Sequence, residues 1–148
     1  MRIGIDARFY GSVGKGLGRY TERLVRELEM LDANNQYVIF LCKENFDEYT
    51  PRNARFTKVL SRSRWYSLSE QVFFPLLLWS KKLDVVHFPH FNVPVLYRKK
   101  FIVTLHDLIL FHYPTEKAST KSRWVYWLKF FAYRFVLDSA LARAKTII

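Results

Sequence analysis

Two segments of this sequence carry histidine beside other polar residues, and their residue types are suited to chemistry. One segment contains His87, His90 and Asn92, and the other contains the adjacent pair His106 and Asp107. An imidazole titrates near neutral pH and either donates or accepts a hydrogen bond. We therefore interpret His106 and Asp107 as candidate catalytic residues, and the first segment as a candidate for binding a substrate.

A glycine-rich segment between residues 11 and 18 is suited to holding an anionic group. Gly14, Gly16 and Gly18 allow backbone amides to approach a ligand closely, and Lys15 adds a positive charge. A helix that begins there adds the partial positive charge of its first turn. The spacing fits neither the P-loop nor the dinucleotide-binding pattern. We predict a phosphate-binding loop, and the alternative is a merely tight turn.

The histidines do not form a recognisable metal motif. His87 and His90 are close together in the sequence, and only the fold could bring His106 and Asp107 near them. A structural zinc site requires a second closely spaced pair of ligands, and no such pair accompanies them. We therefore predict no metal site.

Strand and helix signals alternate along the chain. Short apolar runs predict strands at Arg2 to Ala7, Gln36 to Cys42, Arg55 to Leu60, Asp84 to Phe88, Phe101 to Leu105 and from Thr146 onward. Most of these runs are apolar throughout, which is typical of parallel sheets buried on both faces. We predict an α/β, Rossmann-like domain with a parallel sheet flanked by helices. Ligands bind such sheets at the carboxyl ends of the strands.

Helical spacing and a start signal predict the first two helices. The first has an apolar stripe made of Tyr20, Leu24, Leu28 and Leu31. The second begins with a capping box, in which the Ser67 hydroxyl and the Glu70 carboxylate satisfy opposing amides, and it runs to about Leu83. Pro75 is expected to bend this second helix.

The last predicted helix, Ser119 to Ala144, combines aromatic and basic residues. Trp124, Leu128, Phe131 and Phe135 lie on one face, and lysines and arginines are interspersed along the helix. A helix that lies on an anionic membrane surface has this composition. The alternative is that the aromatic face packs on the sheet while the cations are solvated.

Length and charge restrict the domain count and the partners. The 148 residues suffice for one domain, and a formal net charge of +11 favours an anionic partner. The single cysteine, Cys42, ends an apolar run and is predicted to be a buried thiol. No apolar run reaches the ~20 residues that span a bilayer, and no signal-peptide pattern is present. We expect a cytoplasmic protein that associates with the inner face of a membrane if the last helix contacts lipid.

Four segments together resemble the N-terminal domain of family 4 glycosyltransferases. They are Arg2 to Arg8, Gly16 to Thr21, Asp84 to Pro89 and Val103 to Leu108. Each segment is short, and their order and spacing over nearly the whole chain carry the resemblance. Members of this family are retaining enzymes of the GT-B fold, which has two Rossmann-like domains. The resemblance implies that residues 1–148 form the acceptor-side domain and that the C-terminal, donor-binding domain is absent.

The resemblance also implies a role for each candidate residue. His106 would lie beside the reacting sugar, and Asp107 would orient His106 or the acceptor hydroxyl. The loop against the donor phosphates would comprise Gly14, Lys15, Gly16 and Gly18. The acceptor-side candidates would be His87, His90 and Asn92. The nucleotide-sugar is a substrate, so the resemblance implies no cofactor.

The function implied by the resemblance is transfer of a hexose from a nucleotide-sugar to a saccharide or lipid-linked acceptor, in the synthesis of a cell-surface polysaccharide or glycolipid. Without its second domain the chain is expected to have little or no activity. One alternative is a basic nucleic-acid-binding module, since the sequence pI is near 9.9, but no nucleic-acid motif is present and no such partner is expected. Another is a non-catalytic Rossmann-like domain that binds a partner through the face a second domain would cover.

Overall fold

The computed structural model describes residues 1–106 and 123–148, which form an α/β fold around a six-stranded sheet. The strands are β1 (Arg2–Asp6), β2 (Gln36–Leu41), β3 (Phe56–Leu60), β4 (Val85–Phe88), β5 (Phe101–Val103) and β6 (Thr146–Ile147). The helices are α1 (Lys15–Leu31), α2 (Leu68–Ser80) and α3 (Arg123–Arg143). The strand order is β3-β2-β1-β4-β5-β6, and all neighbouring strands are parallel. The predicted Rossmann-like class is confirmed.

The apolar run of β2 shows why the sheet can be recognised from sequence. Val38 and Phe40 belong to the hydrophobic cluster that includes residues of α2 and α3. Tyr37, Ile39 and Leu41 belong to the cluster on the side of α1. Successive side chains of a strand point to opposite faces, so a strand covered on both faces needs apolar residues throughout.

Helix α1 packs through a face that only partly coincides with the predicted one, since Leu28 of the predicted stripe packs against the core. Its buried residues are Gly18, Thr21 and Val25, whereas Leu31 at the end of the predicted stripe is exposed. A Cβ on Gly18 would lie 2.1 Å from the Gly11 carbonyl oxygen, so the missing side chain allows the helix to approach the preceding turn. This close approach directs the small residues inward, and the rest of the predicted stripe is only partly buried.

Helix α2 has one half of the predicted capping box. The Ser67 hydroxyl accepts the backbone amide of Glu70 at 3.2 Å, as predicted. The Glu70 carboxylate accepts the amide of Tyr66 at 2.8 Å instead of the amide of Ser67, so the other half of the prediction is wrong. The reason is that Glu70 turns into the interior, where it meets other buried polar groups. The helix includes Pro75 and ends before the predicted Leu83.

Helix α3 presents most of its predicted aromatic face to solvent. Among its described side chains, Leu137 and Ala140 are buried, whereas Trp124, Phe131 and Phe135 are 86%, 62% and 63% exposed. Of the two alternatives for this face, packing on the sheet is therefore wrong for these three aromatic residues. Their exposure leaves an apolar surface along the helix that some other partner could cover.

The remaining sequence predictions concern single residues and short segments. Cys42 is a buried, free thiol, as predicted. No helix in the described part of the chain is long and apolar enough to cross a membrane. Asp107, the predicted helix start at 119–122 and the side chain of Leu128 lie outside the described residues.

Candidate functional site

Three of the predicted segments meet at one edge of the sheet. The glycine segment follows β1, the loop with His90 follows β4, and His106 follows β5. Strands β1 and β4 are neighbours although they are not consecutive in the chain, so the strand order reverses between them. Open α/β sheets bind ligands in the crevice outside the carboxyl ends of the strands at such a reversal.

The glycines of the segment after β1 divide into two kinds. A Cβ on Gly14 would lie 2.0 Å from the Phe9 carbonyl oxygen, so Gly14, like Gly18, allows a close packing of backbone on backbone. Gly16 differs, because a Cβ there would meet nothing within 4 Å. Lys15 and Gly16 are exposed in the first turn of α1. Of the predicted phosphate loop, these two residues are therefore the most accessible to a ligand.

The backbone of Lys15 is strained. Its φ of 51° and ψ of −122° place it in a region that glycine occupies readily and other residues rarely do. Such conformations cost about 1–3 kcal/mol and are concentrated at ligand-binding sites. The Lys15 amide donates to the Ser12 carbonyl oxygen, so at this position the attraction for anions comes from the ammonium group and from the partial positive charge of the helix start.

His106 lies beside the start of α1. Its ring meets the ring of Tyr20 edge to face, with 4.5 Å between the centroids. Its Nε2 lies 2.9 Å from the Pro89 carbonyl oxygen, which only accepts hydrogen bonds, so Nε2 carries a proton. Nδ1 of the neutral ring is then the nitrogen that can accept a hydrogen bond from a ligand. Because Asp107 lies outside the described residues, its pairing with His106 stays a prediction.

His87 differs from the other histidines because its side chain is buried within β4. Its Nε2 lies 2.8 Å from the Thr104 hydroxyl, and it is not among the residues that line the crevice. Burial, with a smaller contribution from nearby His106, lowers the pKa of His87 to about 4. The imidazole is therefore neutral at physiological pH and acts as a buried hydrogen-bonding group.

His90 and Asn92 line the crevice, but both are held by protein groups. His90 Nδ1 accepts the next backbone amide at 2.9 Å, so Nε2 carries the proton and donates to the Tyr66 hydroxyl at 2.8 Å. Burial is the largest cause that lowers the pKa of His90 to about 4. The Asn92 amide nitrogen lies 2.9 Å and 3.0 Å from the two carboxylate oxygens of Glu70.

A buried charge cluster beneath the crevice was missed by the sequence interpretation. Arg8 donates through Nε and Nη2 to the two carboxylate oxygens of Asp6, each at 2.8 Å, and through Nη2 to Glu70. Its guanidinium also lies 3.8 Å from the centre of the Phe74 ring. Burial lowers the pKa of Arg8, but the charges and hydrogen bonds of Asp6 and Glu70 together raise it above its ordinary value. The sequence contains one signal for this cluster: an acidic and a basic residue lie two positions apart at the end of an apolar strand.

Glu70 connects this cluster to both sides of the crevice. It accepts the amide of Tyr66 before α2 and the amide group of Asn92 after β4. Burial raises the pKa of Glu70, and Arg8 and Asn92 oppose that shift. The Arg8–Glu70 pair therefore positions two loops that contribute side chains to the site.

Together these elements surround a cavity of about 980 Å³. Each wall contributes side chains, among them Leu17 of α1, Leu68 of α2, His90 after β4, His106 after β5 and Val136 of α3. Known small-molecule sites measure roughly 300–1,000 Å³, so the cavity is large enough for a substrate. Within residues 1–106 and 123–148, no group of three or more His, Cys, Asp or Glu side chains is placed to hold a metal ion.

No protein-family model, curated protein or solved structure matches this chain. The fold class, an α/β Rossmann-like sheet flanked by helices, rests on the structure itself. A fold of this class hosts many activities, so the function has to be argued from the site.

The buried histidines predict that the protein loses stability in mild acid. The pKa values of His87 and His90 are about 4 in the folded state, below the ordinary value of 6.5, so the unfolded state binds more protons between these limits. The free energy of unfolding should therefore fall as the pH decreases from 6.5 to 4. Replacing His87 with glutamine should reduce this loss by up to about 3 kcal/mol at the acid end.

Urea unfolding at a series of pH values measures this effect. Lys99→Gln is the matched control, because Lys99 is exposed and its replacement removes no imidazole. The interpretation is wrong if His87→Gln and the unsubstituted protein lose the same free energy of unfolding across this pH range.

Proposed function

We propose that this chain is the acceptor-side half of a retaining glycosyltransferase that uses a nucleotide-sugar donor and a saccharide or lipid-linked acceptor. The observation that carries the proposal is the position of His106 beside the start of α1, where Tyr20 contacts its ring. A helix start that attracts anions and an imidazole that holds a hydroxyl suit a reaction with a nucleoside diphosphate leaving group.

The accessible groups suggest how the donor is placed. Its diphosphate approaches the first turn of α1, where Gly16 leaves room and Lys15 adds positive charge. As the bond between the sugar and the diphosphate breaks, negative charge grows on the leaving group, and the helix start stabilises it. His106 holds a hydroxyl of the reacting sugar through Nδ1, and Asp107 orients His106 or the acceptor hydroxyl.

In this proposal a second Rossmann-like domain holds the nucleoside part of the donor, as the family resemblance implies, while the diphosphate binds the first turn of α1. The domain with α1 and His106 then supplies one wall of a two-walled cleft. The chain by itself should consequently transfer little or no sugar. The reaction class is hexosyl transfer, and its products belong to a cell-surface polysaccharide or a glycolipid.

Replacing Gly16 with valine tests the donor site. The side chain has open space in the protein, so folding should be unaffected, but it occupies the approach to the first turn of α1. We expect UDP, GDP or ADP to shift the amide resonances of Lys15 and Gly16 in the unsubstituted protein. The affinity of the nucleotide that binds should fall at least roughly tenfold in Gly16→Val, as expected when a phosphate loses its backbone contacts.

Ala33→Val is a matched control, because Ala33 is exposed in the turn at the opposite end of α1. It should leave nucleotide binding unchanged. The proposed donor site is contradicted if none of the three nucleotides perturbs the start of α1, or if the two valine variants bind equally well.

We also propose that the chain contacts an anionic membrane surface. The exposed aromatic residues of α3 support this contact, and Lys82, Lys100 and Lys145 are exposed near the beginnings of β4, β5 and β6. The chain should co-sediment with phosphatidylglycerol vesicles, and binding should weaken as salt screens the charges. Replacing Phe131 with serine should weaken vesicle binding further. If neither added salt nor Phe131→Ser reduces co-sedimentation, the membrane contact is contradicted.

A further inference from the structure

Most polar side chains of the cavity are already engaged by the protein. Gln71 accepts the amide of Val95 at 2.8 Å, and Ser67 donates to a backbone carbonyl at 2.6 Å. The amide group of Asn92 donates to Glu70. These bonds take up part of the cavity's hydrogen-bonding capacity, whereas a saccharide, which would lose its bonds to water on entering, needs a partner for each of its many hydroxyls.

The cavity also opens onto an apolar surface. Leu68, Leu96 and Phe135 line the cavity and are nevertheless 89%, 48% and 63% exposed, so they form its rim. Val72 and Leu76 follow Leu68 at helical spacing on α2 and are also exposed. A ligand that fills the cavity can therefore extend along an apolar surface after it leaves the rim.

We propose that the cavity binds the hydrocarbon chain of an amphipathic acceptor. His106, which contacts Tyr20 of α1, then faces the acceptor's head group, and the hydrocarbon chain runs between α2 and α3 toward the rim at Leu68 and Phe135. The binding site stands on the geometry of the cavity, whereas its role as an acceptor site rests on the proposed glycosyltransfer. The hydrocarbon chain belongs either to a free amphiphile or to a lipid in a bilayer, which share this chemistry.

A series of alkyl maltosides tests the site, with maltose as the control for the head group. Octyl, decyl and dodecyl maltoside are titrated below their critical micelle concentrations, and binding is measured by calorimetry. Burial of one methylene is worth about 0.8 kcal/mol, so affinity should rise about fourfold per methylene until the cavity is full. Maltose alone should not bind.

Two alanines of α3 give a matched pair of variants. Ala132 lines the cavity, Ala142 does not, and both are exposed. Ala132→Trp should weaken dodecyl maltoside binding at least tenfold, because the indole occupies space that the chain needs. Ala142→Trp should leave binding unchanged. Leu68→Gln, at the exposed rim, is a second variant that tests the same site without disturbing the core, and it should weaken binding as well.

The outcomes separate this proposal from the proposed function. Equal affinities across the chain-length series, binding of maltose alone, or equal effects of the two tryptophan variants would overturn the hydrocarbon site, even where nucleotides bind α1. Chain-length-dependent binding without nucleotide binding would overturn the acceptor role. Phosphatidylcholine vesicles distinguish the two sources. If Ala132→Trp weakens binding to the vesicles, the hydrocarbon chain belongs to a bilayer lipid. If it weakens only the binding of dissolved dodecyl maltoside, the chain belongs to a free amphiphile.

Discussion

Replacing Arg8 with methionine is expected to lower the free energy of unfolding by about 3–5 kcal/mol, the range found when one partner of a buried ion pair is removed. Methionine fills much of the same space, but it leaves the carboxylates of Asp6 and Glu70 buried without their cation. Both carboxylates are almost completely buried. Chemical denaturation followed by circular dichroism measures the loss.

Arg26→Met is the matched control. Arg26 pairs with Glu22 on the surface of α1 at 2.6 Å, and its side chain is 54% exposed. Exposed pairs contribute about 0–1 kcal/mol, so the same substitution should have a small effect there. If the two methionine variants lose equal stability, the buried cluster does not have the energetic role assigned to it.

The pH dependence gives a second check on the Arg8 variant. Without the guanidinium, burial and mutual repulsion should raise the pKa values of the Asp6 and Glu70 carboxyls above their unfolded values. The folded variant then binds more protons than the unfolded one, so its stability falls as the pH rises through this range. The deficit caused by Arg8→Met should therefore shrink as the pH falls from 7 toward 5. Adding Glu70→Gln to Arg8→Met should also recover part of the loss at pH 7.

This cluster is also the part of the site that sequence reasoning could not assemble. Asp6 and Arg8 are adjacent enough for their pairing to be read from the sequence, but Glu70 is 62 positions from Arg8. The motif Ser67 to Glu70 predicted a local role for the Glu70 carboxylate, and the buried guanidinium overrode that role. A long-range ion pair competes successfully with a local cap because it satisfies charges that are out of contact with water.

The strands and the approximate position of the site could be predicted from the sequence for a different reason. A strand buried on both faces, such as β2, must be apolar at every position, and that requirement is visible in the sequence. Because the carboxyl ends of parallel strands meet at one edge, the glycine segment and His106 could be placed together before any contact was known. The packing faces of α1 and α3 could be predicted only in part, since apolar spacing identifies a face but not what covers it.

Gly16 and Gly18 lie in the same turn of α1, but the cost of adding a side chain differs between them because only Gly18 is closely packed. Gly18→Ala is expected to lower the free energy of unfolding by about 2–3 kcal/mol, near the upper end of the usual cost of overpacking. The new Cβ would lie 2.1 Å from the Gly11 carbonyl oxygen and 2.5 Å from that of Phe9, so the helix start must move. The better helix propensity of alanine, about 1 kcal/mol, offsets only part of the strain.

Gly16→Ala is the matched substitution in the same turn. Its Cβ meets nothing within 4 Å, so this variant should be as stable as the unsubstituted protein or slightly more stable. Thermal unfolding of the two variants side by side measures the difference, and equal midpoints would contradict the packing role of Gly18. A stable Gly16→Ala has a further consequence: open space at residue 16 is then not needed for folding, so loss of nucleotide binding in Gly16→Val could not be attributed to a damaged fold.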